Sequence, residues 1–95
     1  MRYRAKEIFR MTNDEIIERT NAAIAEEFEL DMNDLVPSAS FKDDLGLDSL
    51  DAVDMVIVLE QEFGIKIGKD PKILKIRQLC DLHSYVIDKK NAFLN

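Results

Sequence analysis

Ser49 is the residue in this chain best placed to do chemistry. It follows Asp48 at the end of a polar stretch containing Gly46, and it opens the segment Leu50-Asp-Ala-Val-Asp-Met-Val-Ile-Val-Leu-Glu-Gln-Glu-Phe63. A hydroxyl at such a loop-to-helix junction can accept a backbone N–H as the helix N-cap. It can equally stand free as a point where a group is attached. No histidine or other base lies near it in sequence, so a serine activated as a nucleophile by its neighbours is not expected. The other reactive residues are Cys80 and His83, one of each in the chain. They stand three apart on a helical stretch, without a third ligand or an orienting acid. That makes a poor metal or nucleophile site, and both read as core or surface residues.

The elements around Ser49 follow from hydrophobic spacing. Thr12 with Glu15 is a capping-box pattern, and Asp14 and Glu15 suit the positive end of a helix dipole. Ile16, Ile17, Thr20, Ala23, Ile24 and Phe28 then recur at helical spacing, predicting a first helix that ends near Glu29. Residues 30–47, with Pro37, Ser38, Ser40 and Gly46, read as a long loop pinned to the core by Leu30, Leu35, Phe41, Leu45 and Leu47. Loops of this length in so small a domain are often functional. Asp48 to Phe63 is a second helix with Gly64 as its stop signal. Pro71 opens a short third helix through about Ile76, and Leu79 to about Lys90 is a fourth, with Leu82, His83, Tyr85 and Val86 at core spacing. Ile65-Lys-Ile67 alternates but is too short, and without a partner, to found a sheet. The expected fold is all-α: a small up-and-down bundle of three long helices and one short one, with a long loop between the first and second. The domain should span residues 11–90. Residues 1–10 read as an extension (native, an upstream start, or an added remnant) and residues 91–95 as a tail.

The second helix carries two apolar stripes. Ala52, Met55, Val56, Leu59 and Phe63 follow core spacing. Leu50, Val53 and Ile57 lie on another side among Asp51, Asp54, Glu60 and Gln61. Branched apolar residues set among carboxylates on an outer face suit a docking surface, where apolar anchors give affinity and charges give steering and register. The alternative is that this stripe packs under the loop or against the third helix.

Charge is strongly segregated. Of the net −6, residues 12–62 carry fifteen Asp and Glu against Arg19 and Lys42 alone, while the flanking segments are net basic. A block this acidic repels nucleic acid and anionic lipid and attracts basic protein surfaces, although a solvated face would look the same. At 95 residues the chain is one domain with a modest core. No apolar run approaches the roughly twenty residues needed to span a bilayer, and the basic N-terminus lacks a signal's apolar centre. A single cysteine excludes an internal disulfide framework and fits a reducing cytoplasm.

Asp44-Leu-Gly-Leu-Asp-Ser-Leu-Asp51 resembles the phosphopantetheine attachment motif of acyl carrier proteins, Asp-Leu-Gly-x-Asp-Ser-Leu. The resemblance runs from about Met11 to Asp88, through Ala39-Ser-Phe41, the acidic second helix and Glu62-Phe63. It implies that Ser49 receives 4′-phosphopantetheine from coenzyme A through a separate transferase, which supplies base and metal ion, and that the chain itself is not an enzyme. It implies a carrier, working as a monomer in fatty acid or polyketide-type lipid synthesis, that meets acyltransferases and ketosynthases bearing basic patches. Asp48, Asp51, Asp54 and Glu60 would form the acidic surface, and Leu50, Val53 and Ile57 the apolar contacts. Peptidyl carriers resemble this fold but usually read Gly-Gly-His-Ser-Leu; Leu47-Asp48 here favours acyl cargo. The chain departs from the family in the basic Lys69, Lys72, Lys75 and Arg77, in Pro71, in Gly68 where proline is usual, and in Gln78-Leu79 where Thr-Val is usual. Three rival readings remain: an acidic helical adaptor without a prosthetic group, a peptidyl or aminoacyl carrier, and an enzyme using Cys80.

Overall fold

A computed structural model describes residues 10–94. Three α-helices run α1 (Asn13–Phe28), α2 (Ser49–Phe63) and α3 (Leu79–Leu94), with short 3-10 turns at Met32–Asp34 and Pro71–Lys75. The all-helical architecture expected from the spacing is the one observed. The short third helix differs in kind: it is a five-residue 3-10 turn, capped by the Asp70 carboxylate on the Lys72 N–H at 3.0 Å. Pro71 presets its first residue, but only Ile73 and Ile76 are even half-buried. That stripe is too thin to support a full α-helix. The fourth helix runs on to Leu94, through residues expected to form a tail. The expected extension at residues 1–10 lies outside the described residues, apart from an exposed Arg10.

Helix α1 begins at the expected capping box, with the Glu15 N–H donating to Thr12 Oγ1 at 3.1 Å and the Thr12 N–H to Glu15 Oε1 at 3.3 Å. It ends where Glu29 turns left-handed (φ 54°) and the Leu30 N–H returns to the Ala25 carbonyl at 2.9 Å. Ile16, Thr20 and Ile24 are its buried face. Ile16 and Ile24 join Met55, Leu59 and Phe63 of α2 and Leu79, Leu82, Tyr85 and Val86 of α3 in a single core. An Arg19–Glu62 ion pair at 2.6 Å links α1 to α2. His83, buried on α3, is joined to Asn21 of α1 by a 2.7 Å hydrogen bond at Nε2.

The long loop is built into the core. Leu35, Ala39, Phe41, Leu45 and Leu47 are buried, while Leu30 is half-buried. The loop also solves a problem at the start of α3, whose first N–H groups have no partner inside the helix. The Leu79 N–H donates to the Ala39 carbonyl and the Cys80 N–H to the Pro37 carbonyl, both at 2.9 Å. The Asp81 carboxylate takes the Arg77 and Gln78 N–H groups. A single antiparallel bridge pairs Ser40 with Gln78, and no strand is present among the described residues.

The two stripes of α2 separate cleanly. Leu59 is 0% exposed and Ile57 45%. Leu59→Ala should therefore leave a cavity and cost about 2–5 kcal/mol, whereas Ile57→Ala should cost no more than about 0.5 kcal/mol, as surface changes do. Urea melts of the two variants make the comparison, and equal destabilisation would contradict the stripe assignment.

Candidate functional site

Ser49 is exposed and is the first residue of α2. It does not cap the helix. Asp48 does: its Oδ1 accepts the Leu50 N–H at 2.9 Å and the Asp51 N–H at 3.1 Å. The Asp51 carboxylate reaches back to the Asp48 N–H at 2.9 Å, closing the box. Asp48 therefore meets the orphan donors that a serine cap would otherwise serve. The Ser49 hydroxyl is left outside the cap.

The approach to Ser49 is fixed by the loop. Gly46 turns left-handed (φ 67°), a conformation that a β-carbon disfavours. The Leu47 N–H then donates to the Phe41 carbonyl at 2.7 Å, and the Phe41 N–H donates to the Arg77 carbonyl at 3.0 Å. The Asp44 carboxylate accepts the Ser40 N–H at 2.7 Å. Ser49 thus stands where the loop, α2 and the segment before α3 converge. Here a pocket of ≈ 550 Å³ opens, with Ser49 on its lining. Ala52, Met55, Val56 and Leu59 of α2 line it from one element and Ile73 and Ile76 from another, and the charged Lys42, Asp43 and Arg77 are also on its lining.

Of the residues singled out for docking, Leu50, Val53, Asp54 and Ile57 fall at i, i+3, i+4 and i+7 and share the outer face of α2. Leu50 is 77% exposed and Val53 59%. Asp48 and Asp51 border this face with their carboxylates engaged in the cap. Glu60 is placed differently. Its Oε2 accepts the Ile67 N–H at 2.8 Å and the Gly68 N–H at 3.1 Å, clasping the chain that leaves α2. Those two donors hold its pKa below the usual carboxylate value. Its negative charge stays near the surface, but the group is committed to holding backbone.

The segment carrying the 71–75 turn is held at a second point. The Tyr85 hydroxyl donates to Asp70 Oδ2 at 2.7 Å, and Lys89 Nζ pairs with the same oxygen at 3.4 Å. The Lys72 backbone donor and then the tyrosine hydroxyl lower the Asp70 pKa, while burial and the adjacent carboxylate push Tyr85 up. Periodicity marks Tyr85 as core but carries no sign of this bond. Neither the pocket nor the Asp70 latch had a signal in the sequence beyond scattered apolar residues.

Cys80 and His83 are not brought together. Cys80 is half-buried with its thiol on Gln78 Oε1 at 3.8 Å, and His83 turns to Asn21. Among the described residues no three His, Cys, Asp or Glu side chains are grouped to hold a metal ion. None of the described helices is long and apolar enough to cross a membrane.

Residues 19–81 match the family model described as a phosphopantetheine attachment site. The chain is 37% identical over 82 residues to the acyl carrier protein of Thermosynechococcus vestitus, spanning 86% of this chain and 100% of that protein. It is 39% identical over 77 residues to the acyl carrier proteins of two strains of Helicobacter pylori, spanning 81% of this chain and 97% of theirs.

Burial holds the His83 pKa below the usual imidazole value of about 6.5. The unfolded chain therefore takes up this proton more readily than the bundle does. Stability should be level above pH ~6.5 and fall as the pH drops below it, until the folded imidazole is itself charged. Urea melts between about pH 7.5 and 5.5 should show this slope in wild type and lose it in His83→Gln. An undiminished slope in the variant would assign it to another group.

Proposed function

The chain belongs to the acyl carrier protein family, and on that premise we propose that it tethers acyl intermediates at Ser49 and presents them to successive enzymes of fatty acid or polyketide-type lipid synthesis. The observation that carries this reading is the division of labour at the start of α2: Asp48 caps, and Ser49 is exposed at the lip of an apolar pocket. A 4′-phosphopantetheine arm joined to Ser49 Oγ supplies a terminal thiol that holds the cargo as a thioester. Everything else falls to the chain's own residues.

Asp48 and Asp51 hold the end of α2 rigid, so that Ser49 meets a transferase in one orientation. The nearest carboxylates, Asp48 and Asp51, are taken up by the cap, so the transferase provides the proton acceptor and the metal ion. The walls formed by Ala52, Val56, Ile73 and Ile76 offer an acyl chain an apolar surface away from water. Leu50, Val53 and Ile57 are the contacts offered to partner enzymes, with Asp54 and the cap carboxylates steering basic patches towards them. Partners of this description are a phosphopantetheinyl transferase, acyltransferases and ketosynthases. The chain acts as a handle, raising the effective concentration of cargo at each partner without catalysing a step. The family's relatives carry the name of a carrier, and a cytoplasmic location accords with this reading.

Incubation with coenzyme A and a transferase should add one phosphopantetheinyl group to wild type by intact mass and none to Ser49→Ala. An unmodified wild type, or a modified Ser49→Ala, would sink the proposal. Asp54→Lys should load more slowly at low salt, and the difference should shrink as salt screens the wild type's advantage. Glu60 is not a clean test of docking, because its reversal would also release the Ile67–Gly68 backbone.

A further inference from the structure

The lining of the pocket includes two cations whose side chains folding leaves unused. Lys42 and Arg77 line the same cavity as Ser49, and both are exposed. Neither makes an ion pair among the described residues. A short backbone relay brings them there: the Phe41 N–H bonds the Arg77 carbonyl, and the Leu47 N–H bonds the Phe41 carbonyl. Positions 42 and 77 therefore flank the stretch that ends in Asp48-Ser49.

Whatever is joined to Ser49 Oγ begins at a residue that lines the same cavity as these two cations. On the reading proposed above, its first unit is a phosphodiester, an anion at any physiological pH. Carboxylates already stand there. Asp48 and Asp43 line the cavity, and Asp51 completes the cap beside them. Asp48 has spent Oδ1 on two backbone donors, whereas Asp43 makes no side-chain bond among the described residues. A new negative charge in this company is repelled unless it turns towards cations. The cations available on the pocket side are Lys42 and Arg77. A guanidinium grips phosphate oxygens through its planar fork, and an ammonium adds a point charge.

We propose that Lys42 and Arg77 form a cationic cradle for the phosphodiester that joins the arm to Ser49. They are positioning residues. By drawing that anion away from Asp48 and Asp51, they set the root of the arm against the pocket and leave Leu50, Val53, Asp54 and Ile57 uncovered for partners. The inference rests on attachment at Ser49, and its test separates the two.

Wild type, K42Q/R77Q and the charge-preserving K42R/R77K are loaded to completion with coenzyme A and a transferase, and one added group on each is verified by intact mass. The phosphorus-31 resonance is then followed as NaCl rises from about 0.01 to 1 M, which shortens the Debye length from about 30 to 3 Å. A phosphopantetheinyl serine peptide gives the resonance of an uncradled phosphodiester. The wild-type signal should lie away from that reference at low salt and move towards it as salt rises. K42Q/R77Q should lie at the reference throughout, and K42R/R77K should keep the displacement. Both side chains are exposed, so thermal melts of the apo forms should coincide; if the double variant did not fold, K42Q and R77Q singly would make the same comparison. Identical signals from wild type and K42Q/R77Q at every salt concentration would overturn the cradle while leaving attachment intact. Failure of the wild type to gain mass would overturn both.

Discussion

The reciprocal cap between Asp48 and Asp51 is the interaction on which the rest of this structure depends. Three bonds of 2.9–3.1 Å tie the two carboxylates to the backbone N–H groups of Asp48, Leu50 and Asp51. They fix where α2 starts, and a helix start fixes a register. With Ser49 as its first residue, Met55, Leu59 and Phe63 face the core while Leu50, Val53, Asp54 and Ile57 face outward. One residue of slippage would rotate every side chain of α2 by about a hundred degrees and mix the two stripes. The cap thus sets core packing, the outer face and the exposure of Ser49 together.

Much of the remaining polar structure positions what surrounds that start. Phe41 is buried and its backbone couples the loop to Arg77 on one side and Leu47 on the other. Glu60 clasps Ile67 and Gly68, and Asp70 anchors the 71–75 turn to Tyr85. These two carboxylates hold in place the segment that forms the far wall of the pocket. The acidity of the chain therefore has two uses. Part of it, at Asp44, Asp48, Asp51, Glu60 and Asp70, holds backbone. Asp54, exposed on the outer face and outside these contacts, is available to meet other molecules.

The fold was legible wherever a local rule suffices. Thr12 with Glu15, Gly64 after Phe63 and the 3.6-residue spacing of Ile16, Thr20 and Ile24 each specify structure within a few residues, and each holds. The stop signal at Gly64 works through its left-handed φ of 65°. The start of α2 was legible too, because Asp48-Ser49 ends the loop and opens the helix. The capping residue was harder to read, since Asp48 and Ser49 are both strong N-cap residues. Only backbone geometry separates them. Glu60 shows the same limit: spacing puts it beside the outer stripe, yet its bonds reach seven and eight residues ahead to a loop whose path no periodicity describes. The 71–75 segment carries a proline start but too little apolar surface for an α-helix, and the continuation of α3 to Leu94 has no stop signal before it.

The central claim is that Asp48 caps α2 and leaves the Ser49 hydroxyl free. Denaturant melts of Asp48→Ala and Ser49→Ala, measured beside wild type, test it most directly. Asp48→Ala should lose about 0.5–2 kcal/mol, as the loss of a cap does, while Ser49→Ala should melt with wild type. A loss in Ser49→Ala equal to or greater than that in Asp48→Ala would put the serine hydroxyl in the cap and contradict the account.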